Sequence, residues 1–131
     1  MLSEMVKPLP DQKVLAWLEA ADESSLFLSV LTLGELEKGI AKNTNVARKT
    51  RLIAWVRSDL SKRFEGRIIA IDAPVAERWG ALAGSAENKG MSLPVIDSLL
   101  AATCIEHKLT IVTRNVKDFE RCGVDCLNPW K

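Results

Sequence analysis

The chain has 131 residues, of which 47% are hydrophobic and 27% are charged, and its net charge is +1. This length predicts a single domain over residues 1–131, large enough to form a hydrophobic core without a disulfide or a structural metal ion. The sequence has no run of about 18 apolar residues and no visible signal peptide, so we predict a cytoplasmic protein with no membrane partner.

The near-zero net charge conceals an uneven distribution. Residues 42–67 contain eight Lys or Arg and two acidic residues, a local charge of +6, so the remainder carries −5. A basic helical segment on an acidic body is typical of a solvated helix face, and it is also typical of a surface that binds a polyanion. Both interpretations stay open at this point.

Helices and short strands are predicted to alternate along the chain. Apolar residues at helical spacing indicate the helices, and short apolar runs indicate the strands. In chain order the elements are a helix capped by Asp11 that reaches Ala21, a strand over 26–30, a helix from about Thr32 to Lys42, a basic helix over 46–64, a strand over 68–71, a helix capped by Asp72 and broken by Gly90, a helix opened by Pro94, a strand over 109–113, a short helix over 116–119 and a last strand over 124–127.

This alternation predicts an α/β layer fold in which helices cover both faces of a parallel sheet. In such sheets, ligands bind beyond the carboxyl ends of the strands. The polar residues that follow each strand are therefore the first candidates for a functional site.

Several oxygen-bearing side chains fall at equivalent places in the predicted layers. Glu35 and Asp97 are each expected in the first turn of a helix, and Thr113, Asn115 and Asp118 follow the strand over 109–113. Such a cluster predicts a site for Mg²⁺ or Mn²⁺, which could generate hydroxide and stabilise charge on a phosphate. The alternative is that the acidic residues only cap helices and interact with their dipoles.

The three cysteines are predicted to be reduced, since their number is odd and no secretion signal is visible. Cys104, His107, Cys122 and Cys126 could together ligate zinc and stabilise an interaction module. Their spacing matches no standard zinc motif, and Cys104 lies in an apolar helical stripe. Buried structural cysteines are therefore the favoured interpretation.

Three stretches in this order resemble PIN-domain ribonucleases of the VapC/FitB type, the toxins of type II toxin–antitoxin pairs. The stretches are LSVLTLGELEKG at 28–39, LPVIDSLLAAT at 93–103 and LTIVTRNVKDF at 109–119. The resemblance implies a Rossmann-like, three-layer PIN fold with a central parallel sheet, and an endoribonuclease that uses Mg²⁺ or Mn²⁺. It also implies an RNA substrate, a cognate antitoxin and a homodimer.

The resemblance assigns roles to particular residues. By position, Glu35 is the second acid and Asp97 the third, and both are expected to ligate the metal. Thr113 would orient ligands or phosphate. The fourth acidic position falls on Asn115, a weaker ligand, and Asp118 could replace it or only cap the short helix.

The resemblance is incomplete at the start of the sequence. Family members begin with an apolar strand that ends in an Asp, whereas Ser3 and Glu4 here match the helix after that strand. Because the first strand and first catalytic Asp have no counterpart in this sequence, we expect an impaired nuclease. The alternative is an inactive PIN domain that binds antitoxin or RNA. The antitoxin is expected along the helices of Trp17 and Trp55, unless both tryptophans are core residues.

Overall fold

The computed structural model describes residues 12–129, so the predicted cap Asp11 lies outside the described residues. The predicted alternation of helices and strands is confirmed. The helices are α1 (Gln12–Ala20), α2 (Val30–Lys42), α3 (Val46–Ala54), α4 (Ser61–Arg63), α5 (Ala73–Asn88), α6 (Val95–His107) and α7 (Val116–Glu120). The strands are β1 (Leu28–Ser29), β2 (Ile68–Ile69), β3 (Ile111–Val112) and β4 (Cys126–Leu127). Within residues 12–129, no helix is long and apolar enough to cross a membrane.

The chain divides into two compact units, one of which is Asp22–Ala70 and the other the rest of the described chain. Each unit contains one pair of parallel strands. Leu28 lies opposite Ile68 in the β1–β2 pair, and Ile111 lies opposite Cys126 in the β3–β4 pair. The predicted parallel pairing is confirmed, although each paired segment is two residues long and shorter than the predicted strand.

Helix α2 begins at Val30, two residues before the predicted start at Thr32. The reason is Ser29, whose hydroxyl oxygen accepts a hydrogen bond of 3.1 Å from the backbone N–H of Leu31. A serine in this position caps a helix by pairing one of its unsatisfied first-turn N–H groups. The predicted strand over 26–30 is therefore cut short by the helix that follows it.

The basic segment forms one continuous helical stretch, as predicted. Between α3 and α4 it widens into a π-helix over Trp55–Leu60, and the Ser61 hydroxyl donates to the Val56 carbonyl at 2.9 Å. Val56, Leu60 and Phe64 are buried on the predicted apolar face. Burial of this face is typical of an amphipathic helix, and most of the segment's basic side chains are exposed.

In the other unit, α5 and α6 pack as a helical hairpin. The Asp72 carboxylate caps α5 as predicted, since it accepts from the Val75 N–H at 3.2 Å. Gly90 follows the end of α5 with φ of +77°, a left-handed conformation that glycine adopts without strain. Buried residues of α6, α7 and the turn after α7 form a core cluster, namely Ala101, Phe119, Cys122 and Val124.

Candidate active site

Asp97 lies in the first turn of α6, as the sequence predicts, and its side chain is half-buried. The turn begins after Pro94, whose carbonyl accepts a hydrogen bond of 2.9 Å from the Ser98 N–H. Backbone N–H groups at a helix start carry partial positive charge, so a carboxylate here is stabilised by the helix dipole. Asp97 therefore lies where the start of α6 stabilises a negatively charged side chain that could bind a metal ion.

Thr113 and Asn115 lie in the turn that joins β3 to α7. The Thr113 hydroxyl oxygen accepts a hydrogen bond of 3.1 Å from the Asn115 backbone N–H, and the Thr113 N–H donates to the Leu127 carbonyl at 2.9 Å. Asn115 is exposed at the start of α7, where its side chain makes no capping bond. Its amide oxygen therefore faces solvent and could accept a bond from water or contact a cation.

Asp118 is half-buried in the first turn of α7. Its carboxylate forms an ion pair of 3.2 Å with Arg121 one turn later. Both side chains are about half exposed, so the pair stabilises the fold by only about 1 kcal/mol or less. The arginine nevertheless neutralises part of the negative charge that Asp118 could offer to a metal ion.

The pKa of the Cys122 thiol is raised by its surroundings. Burial is the main cause, the Arg121 charge lowers the pKa, and the charges of Asp97 and Asp118 raise it further. A buried thiol with a raised pKa is a structural cysteine that disfavours its thiolate form.

Glu35 belongs to the other unit, on α2, where its side chain is exposed. The prediction that Glu35 lies in the first turn of its helix is wrong. Because Ser29 starts α2 early, the first turn contains no acidic residue and Glu35 falls in the second turn. Capping and first-turn dipole effects therefore do not explain an acidic residue at this position.

The predicted site residues carry carboxylate, amide and hydroxyl oxygens, and these are kinds of donor that fit a hard divalent cation such as Mg²⁺ or Mn²⁺. Over residues 12–129, however, no group of three or more His, Cys, Asp or Glu side chains is arranged to hold a metal ion. Within this range, a cation bound at Asp97 would therefore be held by fewer than three such side chains, and water would supply further oxygen ligands.

The alternative zinc site is not assembled either. Its four residues all lie within residues 12–129, where no such group of metal ligands is found. Cys104, Cys122 and Cys126 are free thiols. Burial, together with the neighbouring Cys126, raises the pKa of Cys104 to about 11. Zinc binds the thiolate, which such an environment disfavours. The favoured interpretation of structural cysteines agrees with their packing on the core cluster.

Two features of the site were not predicted from the sequence. Arg121 follows Asp118 by three residues, and this spacing of opposite charges in a helix is a signal that could have identified the pair. Ser98 is buried directly beside Asp97 and is hydrogen-bonded to Trp79 on α5. No local pattern reveals that contact, because its two residues are 19 positions apart.

The sequence matches the PIN domain family over residues 2–124. It is 32% identical to the toxin FitB of Neisseria gonorrhoeae over 130 residues, which cover 99% of this chain and 94% of that protein. It is 30% identical to the VapC ribonuclease Y4jK of Sinorhizobium fredii over 131 residues, which cover 100% of this chain and 94% of the relative.

Comparison with solved structures identifies the same group of relatives. The structure of FitAcB from Neisseria gonorrhoeae matches with a TM-score of 0.92 at 32% identity, covering 98% of this chain and 93% of that chain. The structure of FitAB bound to an IR36 DNA fragment matches with a TM-score of 0.91 at 31% identity, covering 99% and 91%. The chain therefore belongs to the PIN-domain family, in the group of the FitB and VapC toxins.

Proposed function

We propose that the chain is the toxin of a type II toxin–antitoxin pair and acts in the cytoplasm as an endoribonuclease that depends on Mg²⁺ or Mn²⁺. The observation that supports this most strongly is Asp97 in the first turn of α6, within a motif that resembles the family. A relative at 30% identity is named a VapC ribonuclease, and the match covers the whole chain.

In this proposal Asp97 is the principal metal ligand of its unit. A divalent cation bound there would polarise the scissile phosphate and lower the pKa of a bound water. The Thr113 hydroxyl accepts the Asn115 N–H, which leaves its own proton free to donate to a phosphate oxygen. The exposed Asn115 amide would orient a water molecule. Glu35, the second ligand implied by the resemblance, stays a prediction.

The proposal includes an RNA surface on the basic segment. Arg57 pairs with Glu37, and Arg63 and Arg67 both pair with Glu23. The other five cations of residues 42–67 have no carboxylate partner in the described chain, and they are Lys42, Arg48, Lys49, Arg51 and Lys62. Cations without an internal partner can neutralise RNA phosphates, which supplies sequence-independent affinity.

A cognate antitoxin and a second copy of the chain complete the proposed assembly. Solved structures of relatives above 30% identity are named FitAcB and FitAB, which supports a complex of the same kind here. Trp17 and Trp55 are half-buried, so each still presents part of its surface to a partner. The antitoxin groove and the homodimer follow from the resemblance.

A second candidate function is an inactive PIN domain that binds antitoxin or RNA without cutting. It is favoured by the Asp118–Arg121 pair and by the scarcity of grouped carboxylates within residues 12–129. The same observations support our expectation that this 131-residue chain cuts RNA more slowly than its relatives do.

Incubation of the purified chain with a labelled single-stranded RNA separates these functions. We expect slow cleavage in Mn²⁺ or Mg²⁺ that stops when EDTA removes the metal. Cleavage that continues in EDTA would overturn the metal-dependent mechanism. RNA binding by a folded chain with no cleavage in either metal would establish the inactive module instead.

A further inference from the structure

Trp79 on α5 and Ser98 on α6 form a chain of two hydrogen bonds. The indole Nε1–H of Trp79 donates to the Ser98 Oγ at 2.9 Å, and the Ser98 hydroxyl donates to the Val95 carbonyl at 2.9 Å. Ser98 is only 1% exposed, so loss of the Trp79 donor leaves its hydroxyl oxygen without a ready replacement from water. The two bonds connect α5 directly to the first turn of α6.

The start of α6 needs such support because it has no side-chain cap. Pro94 occupies the capping position and makes no side-chain hydrogen bond, whereas Ser29, Asn45 and Asp72 cap α2, α3 and α5. A helix start without a cap retains unpaired N–H groups and frays more readily. The hydrogen bond from Trp79 to Ser98 ties this uncapped turn to α5.

The turn held in this way is the one that carries Asp97. Val95 precedes Asp97 by two residues and Ser98 follows it directly, and both belong to the hydrogen-bonded chain. The Ser98 N–H also closes the turn by donating to the Pro94 carbonyl at 2.9 Å. Opening of this turn would therefore displace the Asp97 carboxylate.

We propose that Trp79 and Ser98 are positioning residues that hold Asp97 in place through the first turn of α6. The inference rests on the proposed function for the role of Asp97, but the structural part of it does not depend on catalysis. If the contact served only α5–α6 packing, its loss would accelerate amide hydrogen exchange at both ends of α6 alike. If it positions Asp97, its loss accelerates exchange selectively in the first turn.

The test is Trp79→Phe, which keeps an aromatic ring but removes the indole N–H donor together with part of the ring volume. We expect the exchange of the Ser98 amide hydrogen to become about fivefold faster, the effect of losing one hydrogen bond. Exchange of amides in the last turn of α6 should stay unchanged. We also expect kcat for RNA cleavage to fall about fivefold with KM nearly constant, since RNA contacts remain while Asp97 moves.

The matched control is Glu106→Gln. Glu106 accepts a bond of 3.1 Å from Arg78 Nε and so joins the same two helices near the other end of α6. This variant should leave Ser98 exchange and kcat unchanged. Equal effects of Trp79→Phe and Glu106→Gln on Ser98 exchange would overturn the inference.

Ser98→Ala is the second variant, used if Trp79→Phe does not fold. It should accelerate exchange of its own first-turn amide by at least as much, because it removes both hydrogen bonds. Unchanged exchange in a folded variant would overturn the inference even if the chain cuts RNA. Altered exchange with cleavage that survives Asp97→Asn would overturn the proposed function alone, since the exchange experiment contains no RNA.

Discussion

The charge of the α3 surface makes a quantitative prediction about RNA binding. Five cations of residues 42–67 have no carboxylate partner in the described chain, and two of them, Arg48 and Arg51, are exposed one helical turn apart on α3. Each phosphate contact on single-stranded nucleic acid changes the slope of log K against log salt concentration by about −0.7. If all five cations contact phosphate, the segment contributes a slope of about −3.5.

The perturbation is the double variant Arg48→Gln/Arg51→Gln. Removal of two phosphate contacts should make the slope less steep by about 1.4. The assay is fluorescence anisotropy of a labelled single-stranded RNA at several KCl concentrations, in an Asp97→Asn background that prevents cleavage. The helical segment should remain folded, because Arg48 and Arg51 are exposed and its buried residues, Val56 and Leu60, lie in the π-helical stretch after α3.

The control is Lys89→Gln/Lys108→Gln, which removes the same net charge from the other unit. This variant should leave the slope close to that of the parent protein, because those lysines lie outside the basic segment. An unchanged slope in Arg48→Gln/Arg51→Gln would refute an RNA surface on α3. An equal reduction in both double variants would show that only net charge matters.

Three further predictions concern stability and reactivity. Phe119→Ala should lower the free energy of unfolding by about 3–5 kcal/mol in a urea titration, because the Phe119 side chain of α7 is buried in the core cluster. A loss below about 1 kcal/mol would contradict that packing. Hydrogen bonding from Arg63 lowers the pKa of Glu23 from its ordinary value of 4.5. The ionised Glu23 therefore stabilises the fold above pH 4.5, and this stabilisation is lost as pH falls through the lowered pKa. Glu23→Gln should therefore reduce the difference between unfolding free energies at pH 6 and pH 3, and an unchanged difference would refute the linkage. The pKa of Cys104 is raised from 9.0 to about 11, so its thiolate fraction at pH 8 is about 100-fold lower than that of an ordinary thiol. Iodoacetamide should therefore alkylate Cys104 far more slowly than a thiol of ordinary pKa, which mass spectrometry can measure. Alkylation at the ordinary rate would contradict this environment.

The helices could be predicted closely because their signals are local. Apolar spacing and Pro94 place the start of α6, and Asp72 and Gly90 bracket α5. The start of α2 differed because Ser29 also reads as a strand residue, and only its side-chain bond to Leu31 decides the boundary. The strands were predicted too long, since apolar character does not reveal how many residues find a hydrogen-bonded neighbour.

The candidate site was predictable only in part. The sequence places Asp97 in a first turn, and the structure confirms this location. The contact of Trp79 with Ser98 depends on how α5 packs on α6, which no local pattern encodes. The burial that raises the pKa of Cys122 likewise arises from tertiary packing.

The central claim is that the Asp97 carboxylate is essential for metal-dependent RNA hydrolysis. Its most direct test compares single-turnover cleavage rates of the parent chain, Asp97→Asn and the exposed control Asp125→Asn in Mn²⁺. We predict that Asp97→Asn loses about 100-fold or more in rate, as expected when a metal ligand that stabilises the transition state by several kcal/mol is removed. Asp125→Asn should cleave RNA at the parent rate. Equal rates for all three proteins would contradict the claim.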